Sequence, residues 1–223
     1  MRLPSRFLLF LLVATAALRA DDSLAHVRRA QAMLGAGIDS QVLRIENATR
    51  WGRYPRCLHA LVFEAGGVVW FYTPGEGTQG FVARKGAKPG LARVLREVEP
   101  GFTRWEMIPA SAGGGPVDDR PLPNGCLIDC LVALRERVAR GESVSRPQLL
   151  SYYVNTTEWR RGHTVLTYLR PDGVAVIDPD RLETHVNPTV YASPTAGDPL
   201  ELARLLDDRA RNARWVPLDV PAR

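Results

Sequence analysis

The residue types best suited to covalent chemistry are two thiols four positions apart, Cys126 and Cys130 in "NGCLIDC" (124–130). A thiolate is a strong nucleophile, and a helix start favours it. Unpaired backbone N–H groups and the positive end of the helix dipole stabilise an anion there. Asn124 is placed to cap a helix over 126–140, which puts Cys126 in its first turn. Cys130 falls one turn later, where its N–H is taken by the Cys126 carbonyl. It borders the apolar stripe Leu127, Leu131, Leu134 and Val138, a setting that suits a packed thiol. Cys126 is therefore the expected nucleophile.

A nucleophilic thiol needs a base. His163 opens a strand directly after Gly162, and "RPDG" (170–173) reads as the turn of a hairpin joining 163–169 to 173–179. Closing that hairpin returns Asp178 or Asp180 to the side of His163. A carboxylate there would fix the imidazole tautomer and steady the imidazolium, as the third member of a triad does.

The segment "GHTVLTYLRPDGVAVIDP" (162–179), preceded by a cysteine at a helix start, resembles the papain-like cysteine peptidase superfamily. The likeness is to the compact bacterial branches, the transglutaminase-like and bacteriocin-processing cysteine proteinases, and covers residues 124–180. It implies a catalytic set of Cys126, His163 and Asp178, no metal and no cofactor. It also implies a peptide or amide substrate, with the cell envelope as one place to meet it. The positions after the nucleophile depart from the family pattern and read Cys126-Leu-Ile-Asp129, and no Gln lies a few residues upstream. Asn124 or the distant Gln79 is then expected to help the Cys126 N–H face an oxyanion. Acyl transfer of the transglutaminase type would use the same triad, and a non-catalytic peptide- or protein-binding module could stand on the same fold.

The cysteines have rival readings. Cys57, His59, Cys126 and Cys130 could form a Cys3His zinc site, or Cys57 could bridge Cys130 and leave Cys126 free. A Cys126–Cys130 bridge within one helical stripe is geometrically poor.

The elements that must position these groups come from the rest of the chain. Residues 1–20 read as a secretory signal peptide: Arg2 and Arg6 precede the apolar run "FLLFLLVATAAL" (7–18), with Ala20 at a cleavage position. A membrane anchor is the alternative. The expectation is a periplasmic or secreted protein with no stable membrane insertion after cleavage. Cleavage would leave 26 Lys+Arg against 24 Asp+Glu, so the basicity of the full chain belongs largely to the leader. The remaining basic residues make scattered pairs, which argues against a nucleic-acid partner.

Residues 21–109 read as a β-rich lobe: a helix at 23–34 ended by Gly35, strands at 41–49 and 103–109, a hairpin over 57–74 turning at Gly66-Gly67, a loop at 75–81 leading towards a strand, and a helix at 90–98. Residues 110–123 form a Gly/Pro-rich connection to a catalytic lobe at 124–223. There a second helix is expected at 146–155, beginning with Pro147, and an amphipathic helix at 198–213. The fold class is α+β: a β-rich first half, then a cysteine-bearing helix with an antiparallel His/Asp hairpin.

Overall fold

The computed structural model describes residues 23–47, 57–74, 77–82, 102–109, 122–155, 160–192 and 198–218. The leader at 1–20, the helix expected at 90–98, most of the 110–123 connection and the Cys57 side chain lie outside the described residues. No described helix is long and apolar enough to cross a membrane. The protein is α+β, with two five-stranded antiparallel sheets and four helices among the described residues. It divides into two compact units, one drawn from residues 1–64 and 69–124, the other from 65–68 and 125–223.

The first unit opens with α1 (23–34), which Gly35 ends at φ 70°. Then come β1 (Ser40–Asn47), β2 (Cys57–Ala65), β3 (Val68–Thr73), β4 (Gly77–Val82) and β5 (Phe102–Ile108), in the sheet order β4-β3-β2-β1-β5. The β2–β3 turn uses Gly66 and Gly67 at φ 61° and 67°, the left-handed pair that a tight hairpin requires. Leu43, Ile45, Ala60, Val62 and Phe71 make the core of this sheet.

The second unit holds α2 (Cys126–Ala139), β6 (Ser145–Asn155), β7 (Arg160–Arg170), β8 (Gly173–Ile177), α3 (Leu182–Val186), β9 (Thr189–Tyr191), α4 (Pro199–Leu206) and β10 (Ala210–Pro217). The sheet order is β10-β6-β7-β8-β9, with every neighbouring pair antiparallel. β7 is central. One face packs Leu150, Tyr152, Val154, Val165, Val174 and Val176 against Leu202 and Ala203 of α4.

Two expectations are corrected in this unit. Residues 146–155 are not a helix but the strand β6. Leu149 and Leu150 fit either period, as short apolar runs do. Pairing on both sides, to β10 and to β7, decides the matter. The alternation Leu150, Tyr152, Val154 then faces the core, with Tyr153 exposed between. The helix expected at 198–213 ends at Leu206. Asp198 caps its start through the Leu200 N–H at 2.8 Å. Asp207 stops it by accepting the Arg209 N–H at 3.0 Å in a local turn. Asn212 takes φ 53°, which no helix continues, and the chain leaves as β10.

The hairpin that carries His163 and Asp178 turns at Gly173. Its φ is 147°, and a Cβ there would sit 2.1 Å from the Tyr191 carbonyl oxygen of β9. Gly173→Ala is therefore expected to destabilise the protein by about 3 kcal/mol, read as a lowered urea midpoint with an unchanged slope. A loss below about 0.5 kcal/mol, the range of a neutral surface change, would mean that the turn does not need glycine.

Candidate functional site

β7 and β8 stop pairing at Leu166–Ile177, so Asp178 falls just beyond the end of β8. That makes it a diagonal neighbour of His163 on the same face of the sheet. The ring Nε2–H donates to Asp178 Oδ1 at 3.0 Å, and both residues are only 9 % exposed. Tyr152, directly opposite His163 on β6, packs its ring edge-on against the imidazole at 5.5 Å between centroids.

Cys126 is the first residue of α2, half-buried, and its sulfur acts on the His163 ring closely enough to raise the ring's pKa. One turn later Cys130, 1 % exposed, donates its S–H to the Thr164 carbonyl at 3.4 Å. Thr164 follows His163 in the chain, so this bond sets where along β7 the helix start lies. Cys130 is thus the packed thiol of the pair, and Cys126 the less buried one.

The acid expected as Asp178 or Asp180 is resolved by distance. Asp180 Oδ2 lies 3.8 Å from the other ring nitrogen, Nδ1, and accepts from Arg161 Nη2 at 2.9 Å. Asp178 is the better fixed. Its Oδ1 also accepts the Asp180 N–H at 3.0 Å, and Arg181 Nε stands 3.5 Å from Oδ2. Its own backbone N–H donates to Thr184 Oγ1 at 2.8 Å. That buried hydroxyl reaches the Asp178 and Arg181 carbonyls at 2.9 and 2.8 Å.

The charges follow from these contacts. Burial alone would keep the His163 ring neutral, but hydrogen bonds to Asp178 and Cys126 outweigh it and raise the pKa from 6.5 to about 9. Burial works on Asp178 too. The His163 hydrogen bond and charge, the Asp180 amide and Arg181 overcome it and hold the carboxyl below its usual range. Burial, with the nearby Cys126, Asp129 and Asp178 charges, pushes the Cys130 thiol well up, which suits a permanently protonated packing group. Burial and Asp178 likewise raise Tyr152.

Asn124 does not cap α2: the cap is Gly125, with no side-chain bond to the helix. Asn124 instead adopts φ 53°, which asparagine tolerates better than most residues, and its Nδ2–H donates to the Pro74 carbonyl at 3.0 Å. Gln79 lies in β4 of the first unit, with its side chain outside the described residues. Cys126 and Cys130 are both free thiols, so no bridge reaches Cys130. His59, the zinc-set member outside α2 with a described side chain, joins no cluster of ligand-type atoms among the described residues, and its Nδ1 lies 3.0 Å from Ser23 Oγ. Among the described residues, His163, Asp178 and Asp180 are the group whose ligand-type atoms fall within 4.8 Å of one another. Asp178 is taken by the ring and Asp180 by Arg161.

Three contributors escaped the sequence reading. Tyr152 was hidden because 146–155 reads as a helix; as a strand its register places it opposite His163. Thr184 and Arg181 lie in and before α3, whose five residues are too few to show a period.

The raised His163 pKa links stability to pH. The folded state binds one more proton than the unfolded chain between pH 6.5 and about 9, so the slope of unfolding free energy with pH is negative there. The contribution, about 3 kcal/mol, is present below pH 6.5 and lost as pH rises through about 9. Urea midpoints of wild type and His163→Gln should therefore diverge at pH 6 and converge by pH 10, after the common loss due to Cys130 is cancelled by the comparison. Parallel curves would remove the ion-paired imidazolium.

No family model, curated protein or solved structure matches the chain.

Proposed function

We propose that the second unit is a thiol hydrolase of papain-like design, acting on a peptide or amide in the periplasm or outside the cell, with Cys126 as nucleophile, His163 as acid and base, and Asp178 as the orienting acid. One observation carries this reading: the buried His163 ring is hydrogen-bonded to the Asp178 carboxylate, with the Cys126 sulfur at the start of α2 close enough to raise the ring's pKa. With Nε2 committed to Asp178, Nδ1 is the ring nitrogen left to serve the sulfur.

In the first half-reaction the Cys126 sulfur, its proton held by Nδ1 of His163, attacks the acyl carbon, and the carbonyl electron pair moves to its oxygen. The first N–H groups of α2 have no partner within the helix and point at that oxyanion. Collapse of the adduct expels the amine, which takes the Nδ1 proton of His163, and leaves a thioester on Cys126. The neutral ring then removes a proton from water, whose oxygen attacks the thioester. Collapse releases the acid, and the ring proton returns to the thiol site. An amine in place of water would give acyl transfer by the same steps, and product analysis distinguishes the two. Asp178 keeps the ring oriented and favours its charged form throughout.

Iodoacetamide should alkylate Cys126 at pH 6, where a free thiol with a pKa of about 8.5 reacts very slowly, while Cys130 stays unmodified in the folded protein. An activated ester such as p-nitrophenyl acetate should give a nitrophenolate burst stoichiometric with Cys126 and absent from Cys126→Ala. Steady turnover should fall as pH rises through about 9, where His163 loses the proton that the leaving group takes. Asp178→Asn should move that limb down by about one pH unit. Alkylation that rises only near pH 8.5, with no burst, would leave a non-catalytic binding module.

A further inference from the structure

α2 buries a second polar side chain that the proposed chemistry does not use. Arg137 is 3 % exposed, and arginines are almost never so buried without strong pairing. Its Nη1 pairs with Glu142 and lies 3.4 Å from the Tyr168 hydroxyl, and the guanidinium stands 5.9 Å from the Tyr168 ring centroid. Nη2 donates to the His185 carbonyl at 2.6 Å. Nε is buried with no partner. Desolvating this cation with one donor unmet gives no stability advantage over an apolar side chain of similar volume.

What the cation does is fasten α3. That helix has five residues and makes little stability of its own. Arg137 grips the carbonyl of His185, and the residue before it is Thr184, whose hydroxyl holds both backbone groups of Asp178. The contacts close a ring: from Cys126 at the start of α2 to His163, to Asp178, to Thr184 and His185, and back to α2 at Arg137. One helix supplies the thiol and, about three turns on, the anchor for the acid's backbone.

We propose that Arg137 is a positioning residue for the Cys126–His163–Asp178 site, acting through α3 to hold the Asp178 carboxylate against the imidazole. The proposal rests on the reading of these three residues as the working site, but its geometry is measurable without turnover. The charged and titratable groups facing the ring are Cys126 from α2, Tyr152 from β6, Asp178 and Asp180 from the turn after β8, and Asp207 at the end of α4. Arg137 is not among them. A direct field effect of deleting its charge would raise the His163 pKa, whereas loss of Asp178 would lower it. The sign separates the two.

The test is an NMR pH titration of the imidazole signals, with those of His163 identified by their absence in His163→Gln. Arg137→Met should lower the His163 midpoint by about one unit. Thr184→Val should do the same, and the double variant should fall no further than the lower single one, because both cut one chain of contacts. Leu134→Ala, which opens a cavity in α2 outside the ring of contacts, should lower stability and leave the midpoint in place. If Arg137→Met does not fold, Arg137→Lys is read instead: its point charge cannot serve Glu142 and His185 together as a fork does, so a smaller drop is expected. An unchanged or raised midpoint in the folded Arg137 variant, or an equal drop in Leu134→Ala, overturns the proposal. Failure of the hydrolase reading looks different, as wild-type protein with ordinary thiol reactivity and no ester burst, whatever the midpoints do.

Discussion

The second unit is organised around one buried hydrogen bond, from His163 Nε2–H to the Asp178 carboxylate. A charged pair withdrawn from water is costly unless every remaining lone pair and proton finds a partner. The neighbourhood meets that demand in detail. The Asp180 amide takes the same carboxylate oxygen, Arg181 stands by the other, and Thr184 secures the backbone on both sides. The Tyr152 ring covers one edge of the imidazole and limits the water that could compete. Three carboxylates surround a single ring, yet only Asp178 is in hydrogen-bond contact with it. Asp180 is turned to Arg161 and Asp207 to Arg209.

The thiol side depends on helix placement rather than charge. Cys130 seats α2 on β7 by a weak S–H bond to a backbone carbonyl and by full burial. A side chain so packed has little freedom to slide, so the helix start, one turn away, is held in register with His163. The i, i+4 spacing in the sequence therefore separates a reactive position from a structural one on the same helical face.

What was legible in the sequence follows from the range of the forces involved. The β7–β8 hairpin, α2 and the hairpin at Gly66-Gly67 are specified locally, by turn residues and apolar period, and all three appear at the expected residues. The meeting of His163 and Asp178 was legible because a hairpin of known turn fixes which strand ends are adjacent. β6 was not, since "LLSYYV" satisfies both periods and only the pairing with β10 and β7 selects between them. The cap at Gly125 was missed because asparagine serves equally well as a cap and as a left-handed turn residue, and the Pro74 carbonyl drew it to the second role. Arg137 offered no signal at all: in "LRERVAR" it looks like a solvated helix charge, and its burial comes from a five-residue helix brought in from 45 residues downstream, on the order of a dozen turns' worth of chain away.

The strand order has a bearing on solubility. β7 and β8 hold "TVLTYL" and "GVAVI", uncharged runs rich in β-branched residues, of the kind that recruit a second copy when left at a sheet edge. In the order β10-β6-β7-β8-β9 neither is an edge. β9, on one side, offers three residues. β10, on the other, carries exposed Arg211 and Arg214, a register break between them and Pro217 at its end. Short length, cationic side chains, a bulge and a proline are each deterrents to intermolecular strand addition. The arrangement that brackets the histidine between two partners also keeps these uncharged runs away from a sheet edge.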